Sequence, residues 1–230
     1  SEPIRKGSLH ATEVLANSMP ELTGGSADLT GSVLTMPANM SLALAGEFAG
    51  KHVGYGIREH IMAAAMNGLA LHGGLLPYGG TYLTFSDYSR PAIRLAAIMN
   101  IRVVFLFSHD SIGVGEDGPT HQPIEHLAAL RAIPNLRVYR PADTVEALEC
   151  WLDAASHSGP SVMVVSRQSV DAVRCDHVTD MPSRRGGYVL DEAAGARDVT
   201  LIATGSEVDL AVKTKALLAR NNVDAAVVSL

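Results

Sequence analysis

Short apolar runs rich in β-branched residues alternate along the chain with longer segments in which apolar residues recur at helical spacing. The short runs predict strands at residues 103–107, 137–140, 162–166, 200–203 and 225–228. The periodic segments predict helices at residues 8–17, 58–71, 85–99, 124–132, 144–157 and 207–221. This alternation of strand and helix predicts an α/β fold with a largely parallel sheet.

The pattern lapses between residues 169 and 187, where polar and charged residues and Pro182 precede the pair Gly186 and Gly187. Such a stretch is typical of a linker. Beyond it, the segments GYVLDEA, DVTLIATGS and DAAVVSL supply two or three strands of a second α/β domain, and the sequence ends on a strand. We therefore predict a first domain over 1–170, a linker over 171–186 and an incomplete second domain over 187–230, as in a fragment or a subunit completed by a partner.

Composition narrows the classes of partner. The net charge is −6 and the basic residues are scattered, so neither nucleic acid nor an anionic membrane is an expected partner. The most apolar long segment, residues 61–71, falls well short of the roughly 18 apolar residues that suggest a membrane span. Cys150 and Cys175 form no CxxC pair, and the first residues lack the apolar core of a signal peptide. We expect a reducing, cytoplasmic setting.

The stretch HDSIGVGEDGPTHQP, residues 109–123, follows the predicted strand 103–107 and carries the G-x-G-x-x-G spacing of a dinucleotide-binding loop. Its context argues against that function, since such a loop must open a helix and Pro119 and Pro123 interrupt the continuation. Glu116 and Asp117 also place negative charge where a pyrophosphate would bind, with no Lys or Arg beside them in the sequence to offset it.

The same loop carries nitrogen and oxygen atoms that could bind a metal, on His109, Asp110, Glu116, Asp117 and His121. Their spacing matches no compact ligand motif, so we assign no metal ligand. A rigid turn with capping side chains is the simplest interpretation of the spacing alone. The position of this polar, glycine-rich loop favours a substrate site, because open α/β sheets bind ligands at the carboxyl ends of parallel strands.

Two other segments carry candidate chemistry. Glu59, in YGIREH, falls at or just before the first turn of the helix predicted over 58–71, where a structural helix-start carboxylate is the alternative. Tyr82, Phe85 and Tyr88, in TYLTFSDYSR, recur at i, i+3 and i+6 in a chain with 5% aromatic residues. For these three side chains, packing in the core of an amphipathic helix is the alternative.

Together these segments resemble the pyrimidine-binding domain of transketolases, in order and in spacing. The resemblance rests on YGIREH, PYGGTYLTFSDY and HDSIGVGEDGPTHQP, with GGSADLTGS (residues 24–32) upstream and SRQ (166–168) downstream. Residues 186–190 and 203–208 are similar to the start of the transketolase C-terminal domain. The resemblance covers nearly the whole chain, and the long loop with its Pro-Thr-His-Gln-Pro ending is highly specific.

The resemblance implies an enzyme of the pentose phosphate pathway that uses thiamine diphosphate to move a two-carbon ketol unit from a ketose phosphate to an aldose phosphate. It implies that Glu59 hydrogen-bonds the aminopyrimidine ring of the cofactor and shares a proton with a ring nitrogen. It also implies that Tyr82, Phe85 and Tyr88 form the pocket that holds this ring. The family often has Phe at the position of Tyr82, so this hydroxyl needs a hydrogen-bond partner or water.

At the substrate end, the resemblance implies that His109 and His121 line the channel, hydrogen-bond sugar hydroxyls and move protons. Asp117 matches the aspartate that reads the C2 hydroxyl of the acceptor aldose. The groups that match the phosphate-binding role are Arg5, Ser32 and Arg167. An arginine suits a phosphate through its fork of donors, although Arg5 lies near a terminus, where a disordered surface position is the alternative.

Transketolases bind the cofactor diphosphate and a divalent metal, Mg or Ca, through an N-terminal domain that carries Gly-Asp-Gly followed by Asn, commonly across a homodimer interface. The 230 residues contain no such segment. The resemblance therefore implies that this chain supplies the pyrimidine-binding and substrate-channel half of a site and is inactive alone. Two other interpretations stay open: another thiamine-dependent transferase, such as a dihydroxyacetone or deoxyxylulose phosphate synthase, and a non-catalytic assembly module of the same fold.

Overall fold

The computed structural model describes residues 1–47, 49–174 and 178–230. Its strands are β1 Glu2–Pro3, β2 Leu22–Ser26, β3 His52–Gly54, β4 Leu76–Tyr82, β5 Val104–Ser108, β6 Arg137–Tyr139, β7 Ser161–Val165, β8 Ser169–Val170, β9 Tyr188–Asp191, β10 Val199–Ala203 and β11 Ala225–Ser229. Its α-helices are α1 Ile4–Ser18, α2 Thr30–Val33, α3 Glu59–His72, α4 Ser86–Met99, α5 His126–Arg131, α6 Thr144–Ser156 and α7 Glu207–Ala219. Within these ranges, no helix combines the length and the apolar character needed to cross a membrane. Cys175 and part of the predicted linker lie outside the described residues.

A six-stranded sheet with the order β3-β2-β4-β5-β7-β6 forms the centre of the fold, and every neighbouring pair in it is parallel. Helices lie on both faces, because parallel neighbours need crossover connections. The central strand β5, with the sequence VFLFS, is buried along its whole length. Such a continuous apolar strand is typical of a parallel sheet whose two faces are both covered. The predicted α/β fold with a largely parallel sheet is confirmed.

The two faces of this sheet hold separate layers of the core. On one face, Trp151 of α6 is fully buried, contacts the Tyr78 ring edge-on at 5.5 Å between centroids, and donates from Nε1 to Ser8 Oγ of α1 at 2.8 Å. On the other face, α3 packs against α4, and Asn67 Nδ2 donates to the carbonyl of Ala92 at 2.8 Å. The contact between Asn67 and Ala92 holds α3 alongside α4.

A short antiparallel pair, β1 with β8, ties the start of the chain to the segment after β7. The Ile4 amide donates to Ser166 Oγ at 3.1 Å, and the Arg5 amide donates to the Ser166 carbonyl at 3.2 Å. Arg5, the second residue of α1, is thereby fixed beside the carboxyl end of β7. These contacts disfavour a disordered position for Arg5, and its role in phosphate binding stays a prediction.

A second sheet, with the order β10-β11-β9, combines the parallel pair β10 and β11 with the antiparallel pair β11 and β9. Glu146 of α6 connects this sheet to the first, since its Oε1 accepts from Tyr188 Oη at 2.6 Å and from Ser229 Oγ at 2.7 Å. Burial raises the pKa of the Glu146 carboxyl, and these hydrogen bonds oppose the rise. The two sheets therefore share a buried polar contact.

The structure departs from the sequence prediction at places that matter for the site. Helix α1 begins at Ile4 rather than at the predicted residue 8, because Pro3 supplies an extended N-cap and Ile4 packs in the core. The sequence pattern predicts no strand where β2, β3 and β4 lie. Their sequences, LTGGS, HVG and LPYGGTY, contain glycine or proline and few β-branched residues. Burial between neighbouring strands, rather than intrinsic propensity, specifies them.

Candidate active site

The predicted site segments follow the carboxyl ends of strands in the six-stranded sheet. YGIREH follows β3, the aromatic segment begins at the last residue of β4, the loop 109–123 follows β5, and SRQ follows β7. Because the strands are parallel, these ends lie along one edge of the sheet. That edge is where open α/β sheets bind ligands.

Three aromatic side chains form an open row at this edge. Tyr82 is the last residue of β4, Phe85 ends a short 3-10 turn, and Tyr88 lies in the first turn of α4. The Tyr82 and Phe85 rings stack with centroids 5.5 Å apart and 23° between their planes, and the Phe85 and Tyr88 centroids are 6.0 Å apart. Tyr88 is 65% exposed, so core packing is the wrong interpretation for it. The row offers an apolar surface that fits an aromatic ring of a ligand.

Glu59 is the first residue of α3 and lies at the positive end of that helix. It is only 8% exposed, whereas its neighbours Ile57 and Ile61 are 78% and 56% exposed. Since α3 packs along α4, Glu59 and the aromatic row lie at the starts of two adjacent helices. A buried carboxyl next to exposed apolar side chains is suited to hydrogen-bond a polar ring that covers this surface.

His109 has a backbone φ of +63° and is buried against Tyr82, with ring centroids 3.8 Å apart. Its Nδ1 lies 2.8 Å from Ser108 Oγ, and its Nε2 lies 3.8 Å from Asp117 Oδ2. Burial, and to a smaller degree the charge of Arg5, lower the pKa of His109 to about 4, against the opposing effect of Asp117. The imidazole is therefore neutral near pH 7 and can donate one hydrogen bond and accept another.

His121 lies against the same aromatic row. Its ring centroid is 5.3 Å from that of Phe85 and 5.7 Å from that of Tyr82, and its Nδ1 lies 2.8 Å from Thr120 Oγ1. Both His109 and His121 thus contact Tyr82. Two imidazoles that border one aromatic surface can hydrogen-bond the hydroxyl groups of a ligand.

Arg5 and Arg167 lie close to His109 at the substrate end. Arg5 Nη1 donates to the Ser32 carbonyl, and Arg167 Nη2 pairs with the carboxylate of Glu116. Burial and the nearby charge of Arg167 lower the pKa of the Arg5 guanidinium. Two guanidinium groups that repel each other favour an anion between or beside them, and a phosphate accepts hydrogen bonds from both.

One expectation about this end changes. The charge of Glu116 is offset by Arg167, which is distant in the sequence but adjacent in space, so the loop does have a cation beside it. The backbone carbonyl of Ser32 accepts from Arg5, and the role of Ser32 in phosphate binding stays a prediction.

The loop 109–123 is a turn that opens no helix. Its residues 112–114 form a single 3-10 turn, in which Ser111 Oγ accepts from the Gly113 amide at 3.3 Å. Gly115 and Gly118 follow with φ of +79° and +76°, and α5 begins only at His126. A dinucleotide loop needs a helix start directly after its glycines, so that interpretation is excluded.

Among the described residues, Asp87, Glu125 and His126 each place one oxygen or nitrogen atom within 4.8 Å of the others. Asp87 accepts from Arg90 at 2.6 Å and contacts His126 Nε2 at 3.1 Å. A guanidinium at this distance disfavours a second cation, so we assign no metal to this group.

Comparison with known sequences identifies the family. Residues 3–172 match the family described as "Transketolase, pyrimidine binding domain", and residues 186–230 match "Transketolase-like TK C-terminal domain". The chain belongs to the transketolase family. The transketolase of Cereibacter sphaeroides is 55% identical over 226 residues, which are 98% of this chain and 34% of that relative. The chain thus spans about a third of the length of this transketolase.

Solved transketolase structures share the fold. The structure described as "Transketolase from Leishmania mexicana" matches with a TM-score of 0.94 and 42% identity, over 100% of this chain and 34% of that chain. One described as "Split gene transketolase, inactive beta4 tetramer" matches with a TM-score of 0.81 and 26% identity, over 100% of this chain and 71% of that chain. The resemblance to transketolases that the sequence motifs indicate is confirmed.

Sequence reasoning also missed a polar contact of Asp110 beside the site. Asp110, considered only as a metal ligand, is buried and accepts from Arg140 Nη2 at 2.6 Å. Arg140 belongs to none of the motifs that indicate the family, and it lies 30 positions away in the sequence. A long-range pair of this kind leaves no local pattern that could have revealed it.

Proposed function

We propose that this chain is the pyrimidine-binding and substrate-channel half of a transketolase, which transfers a two-carbon ketol unit from a ketose phosphate to an aldose phosphate. When bound, thiamine diphosphate supplies the carbanion chemistry of this transfer. The observation that carries the proposal is that the buried Glu59, the aromatic row and His109 lie along one edge of the sheet in a chain of the transketolase family.

At the ring end, the proposed role of Glu59 is to hydrogen-bond the aminopyrimidine and to hold a proton at its ring nitrogen. The aromatic row of Tyr82, Phe85 and Tyr88 orients that ring and excludes water from it. The fit is supported by the open apolar face of the row and by the position of Glu59 at the start of the adjacent helix. A carboxyl is suited to proton exchange when it lies within hydrogen-bond reach of its partner.

At the substrate end, the proposed role of His109 and His121 is to hydrogen-bond sugar hydroxyls and move protons between them. Asp117 lies within reach of His109 and accepts from the C2 hydroxyl of the acceptor. Arg5, Ser32 and Arg167 bind the phosphate. The neutral state of His109 supports this assignment, because a neutral imidazole can donate and accept at once.

We propose that the cofactor diphosphate and a divalent metal, Mg or Ca, are held by an N-terminal part outside these residues, and that a homodimer completes the site in the cytoplasm. The share of the relatives that this chain spans supports this division, as do the exposed side chains of Ile57 and Ile61 beside Glu59. The domain limits 1–170, 171–186 and 187–230 stay a prediction. The presence of Glu59 and the whole aromatic row disfavours a non-catalytic assembly module.

The phosphate assignment gives a selective test in the whole protein. Arg167→Met should raise KM for a ketose phosphate about tenfold to a hundredfold, since hydrogen bonds to charged groups contribute roughly 1.5–3 kcal/mol. KM for hydroxypyruvate, a ketol donor without a phosphate, should change little. Arg137→Met is the matched control. Arg137 Nη1 lies 2.8 Å from Asp153 Oδ2, and this ion pair is not at the edge of the sheet that carries the site. Equal losses with both donors would remove Arg167 from phosphate binding, and a wild-type protein without ketol transfer would overturn the function.

A further inference from the structure

A buried cluster of charged side chains joins the loop after β5 to the start of α7. Arg140, which directly follows β6, donates from Nε at 3.1 Å and from Nη2 at 2.6 Å to Oδ2 of Asp110. The side chains of Arg140 and Asp110 are 5% and 1% exposed. A charge pair removed from water to this extent is stable only while both partners are present.

The other side of the same guanidinium contacts the second sheet's helix. Arg140 Nη1 donates to the carbonyl of Thr204 at 2.9 Å and to the carboxylate of Glu207, the first residue of α7. Ser206 Oγ also donates to Asp110 Oδ2 at 3.2 Å. One arginine therefore connects three segments: the end of β6, the loop that carries His109, and the start of α7.

The backbone at this contact leaves no room for a larger residue. Gly205 has a φ of +59°, and a Cβ there would lie 2.7 Å from both Cγ and Nε of Arg140. A glycine is needed at this position for both reasons. Its close approach lets the turn before α7 cover Arg140.

The contact lies one residue from the imidazole that borders the aromatic row. Asp110 directly follows His109, whose φ of +63° is a conformation that side chains with a Cβ rarely adopt. Such a conformation persists only where surrounding contacts determine it. The Arg140 contact fixes the backbone on one side of His109, and the Tyr82 ring at 3.8 Å fixes the imidazole on the other.

We propose that Arg140 is a positioning residue for the reaction: together with Ser206 and Glu207 it holds Asp110, and through Asp110 it holds His109 in place. Glu207 and the N-cap Ser206 at the start of α7 thereby act on the active site of the first sheet, although Ser206 lies 96 positions after Asp110. This role rests on the proposed function, since it requires that His109 contacts the substrate.

The test compares Arg140→Met with Arg137→Met in the whole protein. Arg137 is the first residue of β6, the strand that Arg140 follows; it makes its own ion pair with Asp153 and contacts neither the loop nor α7 in the part of the chain that the structure describes. Hydrogen–deuterium exchange measures the loop directly. We expect the amides of residues 109–118 to exchange faster in Arg140→Met and at the wild-type rate in Arg137→Met.

Kinetics then measure the consequence for the reaction. In Arg140→Met we expect kcat to fall about tenfold to a hundredfold, since displacement of a catalytic group by about 1 Å can cost this much. Cofactor affinity should stay unchanged, and Arg140→Lys, which keeps one charge, should restore part of the rate. If Arg140→Met does not fold, Arg140→Lys serves for both measurements, because a single ammonium group cannot donate to Asp110 and Thr204 in the same geometry.

The outcomes separate this inference from the proposed function. Unchanged exchange of residues 109–118 overturns the positioning role, whatever the kinetics. Faster exchange with an unchanged kcat also overturns it, because the loop would then be held without any effect on the reaction. A wild-type protein with no ketol transfer would instead overturn the proposed function, and the exchange result would not be affected.

Discussion

The substrate end of the candidate site, around His109, and the ring end, around Glu59, are completed to different degrees by this chain. His109 is buried, packs on Tyr82 and lies 3.8 Å from Asp117. At the ring end, Tyr88 and the isoleucines that flank Glu59 expose more than half of their surface. The substrate end is assembled by contacts within the chain, whereas the ring end presents an uncovered apolar surface.

Because of this difference, we expect the two ends to depend on different parts of the complete site. A site that is already assembled should respond mainly to changes in its own side chains, because their positions are determined before a ligand binds. A contiguous exposed apolar surface marks a place where another molecule packs. The ring end should therefore depend on a covering protein surface and on the cofactor ring, whereas the substrate end should not.

The largest effect is expected from Glu59→Gln in the whole protein. The amide keeps the shape of the side chain but cannot share a proton with the ring, and general acid–base groups contribute about 10²–10⁴-fold in rate. The variant should bind cofactor and lose most ketol transfer. Exchange of the thiazolium C2 proton, followed by NMR, reports this step. Glu13→Gln is the control, because Glu13 is a half-buried carboxylate of α1 that lies near His10. Exchange at the wild-type rate would remove Glu59 from the ring end.

A smaller effect is expected from Asp117→Ala at the substrate end. A lost hydrogen bond to a charged group costs about 1.5–3 kcal/mol, so the preference between acceptors that differ only at C2 should fall about tenfold to a hundredfold. The ratio of kcat/KM for two such epimers measures this preference. Asp180→Ala, at an exposed carboxylate paired with Arg185, is the control. An unchanged ratio would return Asp117 to a structural role in the loop.

The smallest effect concerns the protonation of His109. Its pKa in the folded protein, about 4, is below the ordinary value of 6.5, mainly because of burial. As the pH falls, His109 therefore takes up a proton in the unfolded chain before it does so in the folded protein. The contribution of His109 to the free energy of unfolding is lost as the pH falls from 6.5 toward 4. Arg5→Met removes a positive charge and should raise this pKa. An NMR titration measures the pKa of His109 in the wild-type protein and in Arg5→Met, and His109→Gln identifies its signal. A midpoint near 6.5 in the wild-type protein would contradict the buried environment.

The sequence predicts the ring and substrate segments for a simple reason. Each motif is a continuous stretch beside a strand, so its position at the sheet edge follows once the sheet is parallel. Helix α6 is predicted almost to the residue, because the Asp143 side chain accepts from the Glu146 amide at its start and its apolar residues keep helical spacing. Strand β4 is missed because LPYGGTY has a weak strand pattern and is specified by burial between β2 and β5.

The long-range polar contacts are beyond this kind of prediction. Arg167 reaches Glu116 across 51 positions, and Ser206 reaches Asp110 across 96. The first pair depends on β5 and β7 lying side by side in the six-stranded sheet, and the second depends on the start of α7 packing against the loop after β5. No local spacing in the sequence encodes either arrangement. The sequence therefore predicts which segments form the site and misses the contacts that hold them.

The comparison between the two ends is tested most directly by ketol transfer with the 230-residue chain, alone and mixed with a separately produced N-terminal part of the same protein. Thiamine diphosphate and Mg²⁺ are present in both assays. A ring pocket without a diphosphate anchor binds weakly, since drug-sized ligands gain about 0.3 kcal/mol per atom. We expect no measurable transfer by the chain alone and transfer on mixing. Robust turnover by the chain alone, or micromolar cofactor binding in a calorimetric titration, would contradict the account, because this chain would then hold the whole site.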